Sequence, residues 1–188
     1  MKSPVYEILS AVGNSPWVPL SYLQSPFGVT LACTLSGAGN LTYSVQYTYD
    51  GSDDSNLSQV TITRTTTSAN VLWPDHGLVT GDAVITYGTG DANLNSAADS
   101  SGRPIAQDVT YVDENNFTYV VANSGAATGG VNSKARRFRT FTHAVLAALT
   151  ARADSNFNLP CQMVRLKVTA YTAGKVTMAV TQGSGSMT

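Results

Sequence analysis

The chain reads as an all-β fold of antiparallel strands, and three observations carry that expectation. Apolar and polar residues alternate with period two from Leu41 to Tyr49 and again from Met163 to Thr181. Such runs are separated by short breaks rich in Gly, Asn, Asp and Pro. Charged residues make up 12% of the chain, against about 25% in a typical domain, so its polarity comes from Ser, Thr, Asn and Gly. Uncharged polar residues mixed with β-branched ones suit half-exposed strands.

With 188 residues the chain has room for one generous domain or two small ones. Chains of this size bury roughly 70% of their unfolded surface, so a core needs no disulfide or metal staple. Residues 1–26 are expected to form an extended N-terminal arm. Pro4, Pro16, Pro19 and Pro26 exclude a continuous central strand there, because each lacks a ladder donor. Tyr6, Ile8, Leu9, Trp17, Val18, Leu20, Tyr22 and Leu23 are too apolar for a free tail. The arm either lies on its own domain or docks on a neighbouring subunit.

The main domain is expected from residues 27–65 together with 134–188. Val29, Leu31, Cys33 and Leu35 mark one strand, Gly37 to Asn40 a break, and Leu41, Tyr43, Val45, Tyr47 and Tyr49 a second strand. The tyrosine row is a candidate platform for sugars or bases; core tyrosines with marginal hydroxyls are the plainer reading. Asp50, Asp53, Asp54 and Asn56 invite a calcium reading, but their spacing departs from the known loop and no glutamate closes it. A polar turn accounts for them. Val60 to Arg64 forms a further short strand.

Residues 66–133 change character and read as an inserted small β domain. Strands are expected over 68–73, 83–87, 108–113 and 116–121, the last two joined at Glu114 and Asn115. A long Gly/Asn/Asp/Ser loop spans 88–103. Residues 136–142 re-enter the main domain as a strand, and 143–152 have the composition of a short helix capped by Thr142. The terminal stretch 161–182 reads as a hairpin. Val164, Leu166, Val168 and Ala170 share one face of its first strand, and Val176, Met178 and Val180 one face of its second, with the reversal at Thr172 to Lys175 around Gly174.

This stretch also carries a resemblance. Its Arg-Leu-x-Val-Thr-x-Tyr-Thr-x-Gly-x-Val-Thr pattern, from Arg165 to Thr177 and following Pro160, resembles the C-terminal signature of small virion proteins of tailed bacteriophages. Matching pieces stand at Trp17 to Leu20, Pro26-Phe27 and Leu41 to Asp50, so the likeness covers roughly residues 15–64 and 138–182. It implies a jelly-roll-like β-sandwich serving as a capsid decoration (cement) protein or another virion subunit. His76-Gly-Leu-x-x-Gly-Asp-x-Val84, followed by a Val-Asp-x-Asn-x-Phe-Thr-Tyr segment from Val112 to Tyr119, resembles a small β-barrel-like module of phage tail and baseplate proteins. That likeness implies architecture and a protruding interaction surface.

Catalysis finds no support. His76 and His143 fall in different modules, and no nucleophile elbow, phosphate loop, zinc helix or paired CxxC occurs. The carboxylates, ten Asp and two Glu, sit mostly in turn-like stretches where Asp stabilises the turn. His76 is expected to bond backbone. Catalytic, cofactor-binding and metal sites are therefore all expected to be none. Cys33 and Cys161 read as reduced buried thiols, with a disulfide open only if the sheets bring them together.

A formal charge of −1 offers no footprint for nucleic acid, and the one basic cluster, Lys134, Arg136, Arg137 and Arg139, reads as a solvated strand start. No apolar run approaches the roughly 20 residues of a membrane span, and no export signal is read at the N-terminus. The resemblance implies partners among virion proteins, the major capsid protein first, a homo-oligomer of three copies, and a place in a virion assembled in the host cytoplasm. A tail, collar or fibre-associated protein whose insertion binds a receptor or glycan is the alternative.

Overall fold

The computed structural model describes residues 3–23, 27–51, 57–121, 129–158 and 160–183. Strand accounts for 61% of it and helix for 2%, and both sheets are antiparallel, so the all-β expectation holds. The chain divides into two compact units, residues 1–49 with 141–188, and residues 50–140.

The first unit is built on two strands of 20 residues each, β4 (Val29–Thr48) and β14 (Met163–Gln182). They pair antiparallel over almost their whole length, from Met163 opposite Thr48 to Gln182 opposite Val29. The hairpin expected at Thr172 to Lys175 is therefore absent. β14 runs straight through that segment, and the two halves of β14 pair with the two halves of β4 instead of with each other. The break expected at Gly37 to Asn40 is likewise bridged. The two interruptions lie opposite one another, Ala173 facing Asn40 and Lys175 facing Ser36, with three register shifts between Val168 and Lys175. Bulges of this kind bend a ribbon without ending it. A Cβ on Gly37 would lie 3.3 Å from the Gly174 Cα, and both glycines have positive φ, +81° and +90°. Glycine at the bend thus serves close approach, not reversal.

The bend folds the ribbon over one core. Leu31, Cys33, Val176 and Met178 from one half meet Tyr43, Val45, Val164 and Leu166 from the other in a single buried cluster. One bent sheet supplies both layers of the sandwich. The N-terminal arm lies on its own domain, along the edge of β14 away from β4. β1 (Val5–Leu9) pairs with Val176–Val180, while β2 (Gly13–Asn14) and β3 (Val18–Pro19) pair with Lys167–Val168 and Met163–Val164.

On the far edge of β4 lie β13 (Ala153–Phe157) and β12 (Thr140–Thr142). The helix expected over 143–152 does not form. The Tyr43 and Leu149 N–H groups each donate to the other's carbonyl (2.9 and 2.8 Å), and the Val45 N–H donates to the Leu146 carbonyl (2.8 Å). The open edge of β4 claims the backbone groups that a helix needs internally, and Leu146 drops into the core.

The second unit holds the remaining strands: β5 (Leu57–Thr65), β6 (Ser68–Leu72), β7 (Ala83–Tyr87), β8 (Gln107–Asp108), β9 (Thr110–Asp113), β10 (Asn116–Val120) and β11 (Gly129–Phe138). Their order is β8-β7-β11-β5-β6-β10-β9. The two ends of that path, β8 and β9, are joined through Val109 alone, so the sheet curls to near closure. Ile62, Val71, Phe117, Tyr119 and Leu94 lie in its buried core.

This pairing corrects the expected boundaries. β5 and β11, assigned to the main domain within 27–65 and 134–188, hydrogen-bond to each other and to β6 and β7. Residues 66–133 are thus only part of the second unit. The compositional change at residue 66 marks a change in turn content, while the chain passes between units at 49/50 and 140/141.

Candidate functional site

Groups able to do chemistry are spent on holding turns. The His76 Nδ1 accepts from the Leu78 N–H at 3.0 Å, so its proton sits on Nε2 and is donated to the Asp113 carbonyl at 2.8 Å. Ring edges of Phe117 and Tyr111 flank it. His143 Nδ1 accepts from the Val145 and Leu146 N–H groups at 3.2 and 3.3 Å. His76 lies in the second unit and His143 in the first.

Cys33 and Cys161 are both buried free thiols. Burial pushes Cys33 up to about 12 and Cys161 up to about 11, which leaves almost no thiolate near neutrality.

The carboxylates behave alike. Asp82 accepts from the Val79 and Thr140 N–H groups at 2.8 and 2.7 Å. Asp50 accepts from the Arg139 backbone and guanidinium, and Asp91 pairs with buried Arg64 at 2.8 Å. Asp99 is held below the usual carboxylate range by the Arg103 N–H, and Asp113 by the Asn115 N–H. No three His, Cys, Asp or Glu side chains converge on a metal position among the described residues. Of the Asp50 to Asn56 turn, residues 52–56 lie outside the described residues.

The basic cluster is not one surface. Arg139 turns to Asp50, while Arg137 donates to the His76 carbonyl at 2.8 Å and lies over the Trp73 ring. Arg136 is half-buried and Lys134 exposed.

The tyrosine row divides along its length. Tyr43 is wholly buried and donates to the Ala151 carbonyl at 2.8 Å. Tyr47 packs against Tyr49, Phe141 and Phe157 with ring centroids 4.9 to 5.6 Å apart. Tyr49 and Phe141 reach the surface at 46% and 45% exposure.

One patch of outward sheet surface on each unit carries little charge, while Lys134 and Arg136 stand on β11 beside the second of them. In the second unit the registers place Thr61, Leu72 and Asn116 in one row, Thr63, Asn70 and Thr118 in the next, and Thr65, Ser68 and Val120 in a third. All nine are exposed or half-exposed, opposite the core-facing Val60, Ile62, Ala69, Val71, Phe117 and Tyr119. In the first unit the matching rows are Tyr6, Ala179, Ala32 and Asp154, then Ile8, Thr177 and Thr34, then Thr181, Thr30 and Asn156. Asp154 is the one charge among those ten side chains. Soluble domains usually spread charged residues over about a quarter to a third of their surface. Alternation within each strand already marks these residues as outward-facing, but only the long-range pairing assembles them into faces.

The second unit also carries a shallow depression of about 410 Å³ lined by Asp75, His76, Gly77, Leu78, Val79, Tyr111 and Glu114. It combines an aromatic wall, apolar Val79 and two carboxylates, with no cation and no nucleophile paired to a base.

No protein-family model matches the chain, and no curated protein matches it.

Proposed function

We propose that the chain is a structural protein of a bacteriophage virion, a capsid decoration or cement protein that lies on the head shell and stabilises it. The major capsid protein or neighbouring virion proteins are its partners, the virion assembled in the host cytoplasm is its location, and it assembles with copies of itself. It is not an enzyme. The observation that carries this reading is the pair of nearly uncharged sheet faces, one on each unit. Such faces lose less on desolvation than charged ones and bind through shape, apolar area and hydrogen bonds to their hydroxyls and amides. The resemblance of residues 15–64 and 138–182 to small phage virion proteins supplies the particle.

Quantification in purified particles tests it. Hundreds of copies per particle are expected, retained through a wash in high salt because charge contributes little to the contact. Absence from purified particles overturns the reading.

The depression beside Tyr111 favours a second reading, a tail-associated protein whose second unit binds a receptor glycan. A flat sugar face packs on an aromatic ring while carboxylates accept its hydroxyl protons. A few copies per particle together with binding on a glycan array would select this reading over the first.

A further inference from the structure

The second unit carries another cleft, of about 380 Å³, and we propose that it binds a neutral N-acetylated sugar. Asn95, Ser96, Ile105, Gln107 and Val120 line it, and no charged side chain stands in its wall among the described residues. It shares no residue with the depression beside Tyr111. Its volume falls within the roughly 300–1,000 Å³ of small-molecule sites.

The walls are set before any ligand arrives. Leu94, between β7 and β8, is buried in the core, and its carbonyl accepts from the Thr86 and Tyr119 hydroxyls at 2.7 and 2.6 Å. Asp91 ties the start of the same loop to buried Arg64, and the Ile105 N–H donates to the Ala97 carbonyl at 2.7 Å near its end. A wall fixed in this way spares a ligand the cost of ordering it.

Two half-buried side-chain amides are anchored by their oxygens. The Asn95 side-chain carbonyl accepts from the Thr89 N–H at 3.1 Å, and because a backbone N–H can only donate, the orientation of that amide is settled. The Ser96 hydroxyl takes the Thr86 N–H at 2.9 Å and donates to the Gln107 side-chain carbonyl at 3.2 Å. Neither amide nitrogen has a partner among the described residues, and neither is sealed from solvent. The cleft thus offers uncharged donors beside apolar Ile105 and Val120, the latter 78% exposed.

That combination selects the ligand. A carboxylate or phosphate would give up its hydration with no cation in the wall to replace it. An acetamido group meets both kinds of wall: its carbonyl accepts from an anchored amide, and its methyl packs on Ile105 or Val120. A ring hydroxyl of the same sugar can accept from the second amide. Glucose keeps the hydroxyls but leaves the apolar wall unfilled. This assignment rests on neither reading of where the chain sits in a particle.

Titration of the full chain with N-acetylglucosamine, followed by NMR on the side-chain NH2 signals of Asn95 and Gln107, tests it. Both signals should shift and saturate with a Kd on the order of 1 mM. Glucose should bind at least about tenfold more weakly. Asn95→Asp and Gln107→Glu keep the oxygen that accepts from Thr89 or Ser96 and remove the donor, so each should weaken binding at least about tenfold. Val120→Ser, at an exposed position that the fold does not need, should weaken it several-fold, while Tyr111→Ala in the other depression should leave it unchanged. No saturable shift, an equal response to glucose or to N-acetylglycine methylamide, or binding that survives both amide substitutions overturns the proposal. Any of these would leave the decoration reading standing, and absence of the chain from purified particles would leave the sugar site standing.

Discussion

The guanidinium carbon of Arg165 lies 4.8 Å from the ring centre of Trp17, with both side chains buried. Arg165 is wholly enclosed in β14, and its Nε donates to the Gln46 side-chain carbonyl at 2.9 Å in β4. One residue therefore ties the N-terminal arm, β14 and β4 together. Beside it the Ser15 N–H donates to the Leu166 carbonyl, and the Leu166 N–H to the Ser15 hydroxyl. A desolvated cation on an indole face contributes about 2 kcal/mol beyond packing.

Trp17→Ala should accordingly cost the first unit about 3 to 5 kcal/mol, the usual loss for emptying a buried aromatic site. Arg165→Ala should cost about 2 to 5 kcal/mol, and Arg165→Met less, because methionine refills the volume without a charge to desolvate. Urea unfolding followed by circular dichroism checks the order. Equal losses for Arg165→Ala and Arg165→Met would show that the charge, not the volume, sets the cost.

The bend makes a sharper demand on two positions. Gly37 has φ near +81° and only 3.3 Å between a would-be Cβ and the Gly174 Cα. Gly37→Ala should therefore cost about 1 to 3 kcal/mol, combining left-handed strain with a backbone clash. Gly28, in the same unit with open space around it and no positive φ, is the control, and Gly28→Ala should change stability by less than about 0.5 kcal/mol. If both substitutions prove equally mild, the ribbon has another way to turn.

These two positions also show how much of the fold could be read beforehand. Alternation located the core face of β4 and β14 at Leu31, Cys33, Tyr43, Val45, Val164, Leu166, Val176 and Met178, because period two is a local property. It missed that Gln46, Thr48, Met163 and Arg165 on the opposite face are buried as well, and that Ala170, past a register shift, is exposed. It could not tell a reversal from a bend, since Gly174 at positive φ serves both and the partner that decides, β4, lies more than a hundred residues upstream. Residues 143–152 misled for the same reason: their composition suits a helix, but the free edge of β4 at Tyr43 and Val45 offers hydrogen bonds that composition does not record. The second unit was more legible. Its strands over 68–72, 83–87 and 116–120 are bounded by local turns such as Glu114-Asn115. Only β5 and the part of β11 from Lys134 were assigned to the wrong unit. β11 has its partners β5 and β7 far upstream, and the compositional change at residue 66 hid the local hairpin that joins β5 to β6 across Thr66-Thr67. No site was expected in the sequence, and the uncharged faces became visible only once register set three separate strands side by side.

The corrected boundaries have a direct consequence. A fragment of residues 50–140 keeps every pairing of the second sheet, whereas 66–133 loses β5 and all of β11 beyond residue 133. The longer fragment should fold and unfold cooperatively by itself, and the shorter one should not. Each unit holds one of the two tryptophans, Trp17 or Trp73, so fluorescence of the 50–140 fragment reports on Trp73 alone. Cooperative unfolding of the 66–133 fragment would contradict the strand order given above.

Stability should fall away at both ends of the pH scale, for different groups. Asp99 and Asp113 have folded-state acidities depressed by N–H donors from Arg103 and Asn115. A depressed carboxyl contributes above its unfolded value, near 3.9, and the contribution is lost as pH falls through the lower folded value. Asp99→Asn and Asp113→Asn should flatten the acid limb of the second unit's unfolding curve.

At the alkaline end Cys33 and Cys161 work the other way. Their thiols rise from 9.0 to about 12 and about 11 on burial. A raised thiol leaves stability intact below 9.0 and erodes it as pH climbs towards the folded values, because only the unfolded chain ionises freely. The first unit should thus weaken from pH 9 upward. At pH 8 neither thiol of the folded protein should react with a disulfide reagent, and both should react once urea unfolds the first unit. Rapid labelling of Cys33 in the native protein would mean that the folded ribbon opens far more often than its buried core implies.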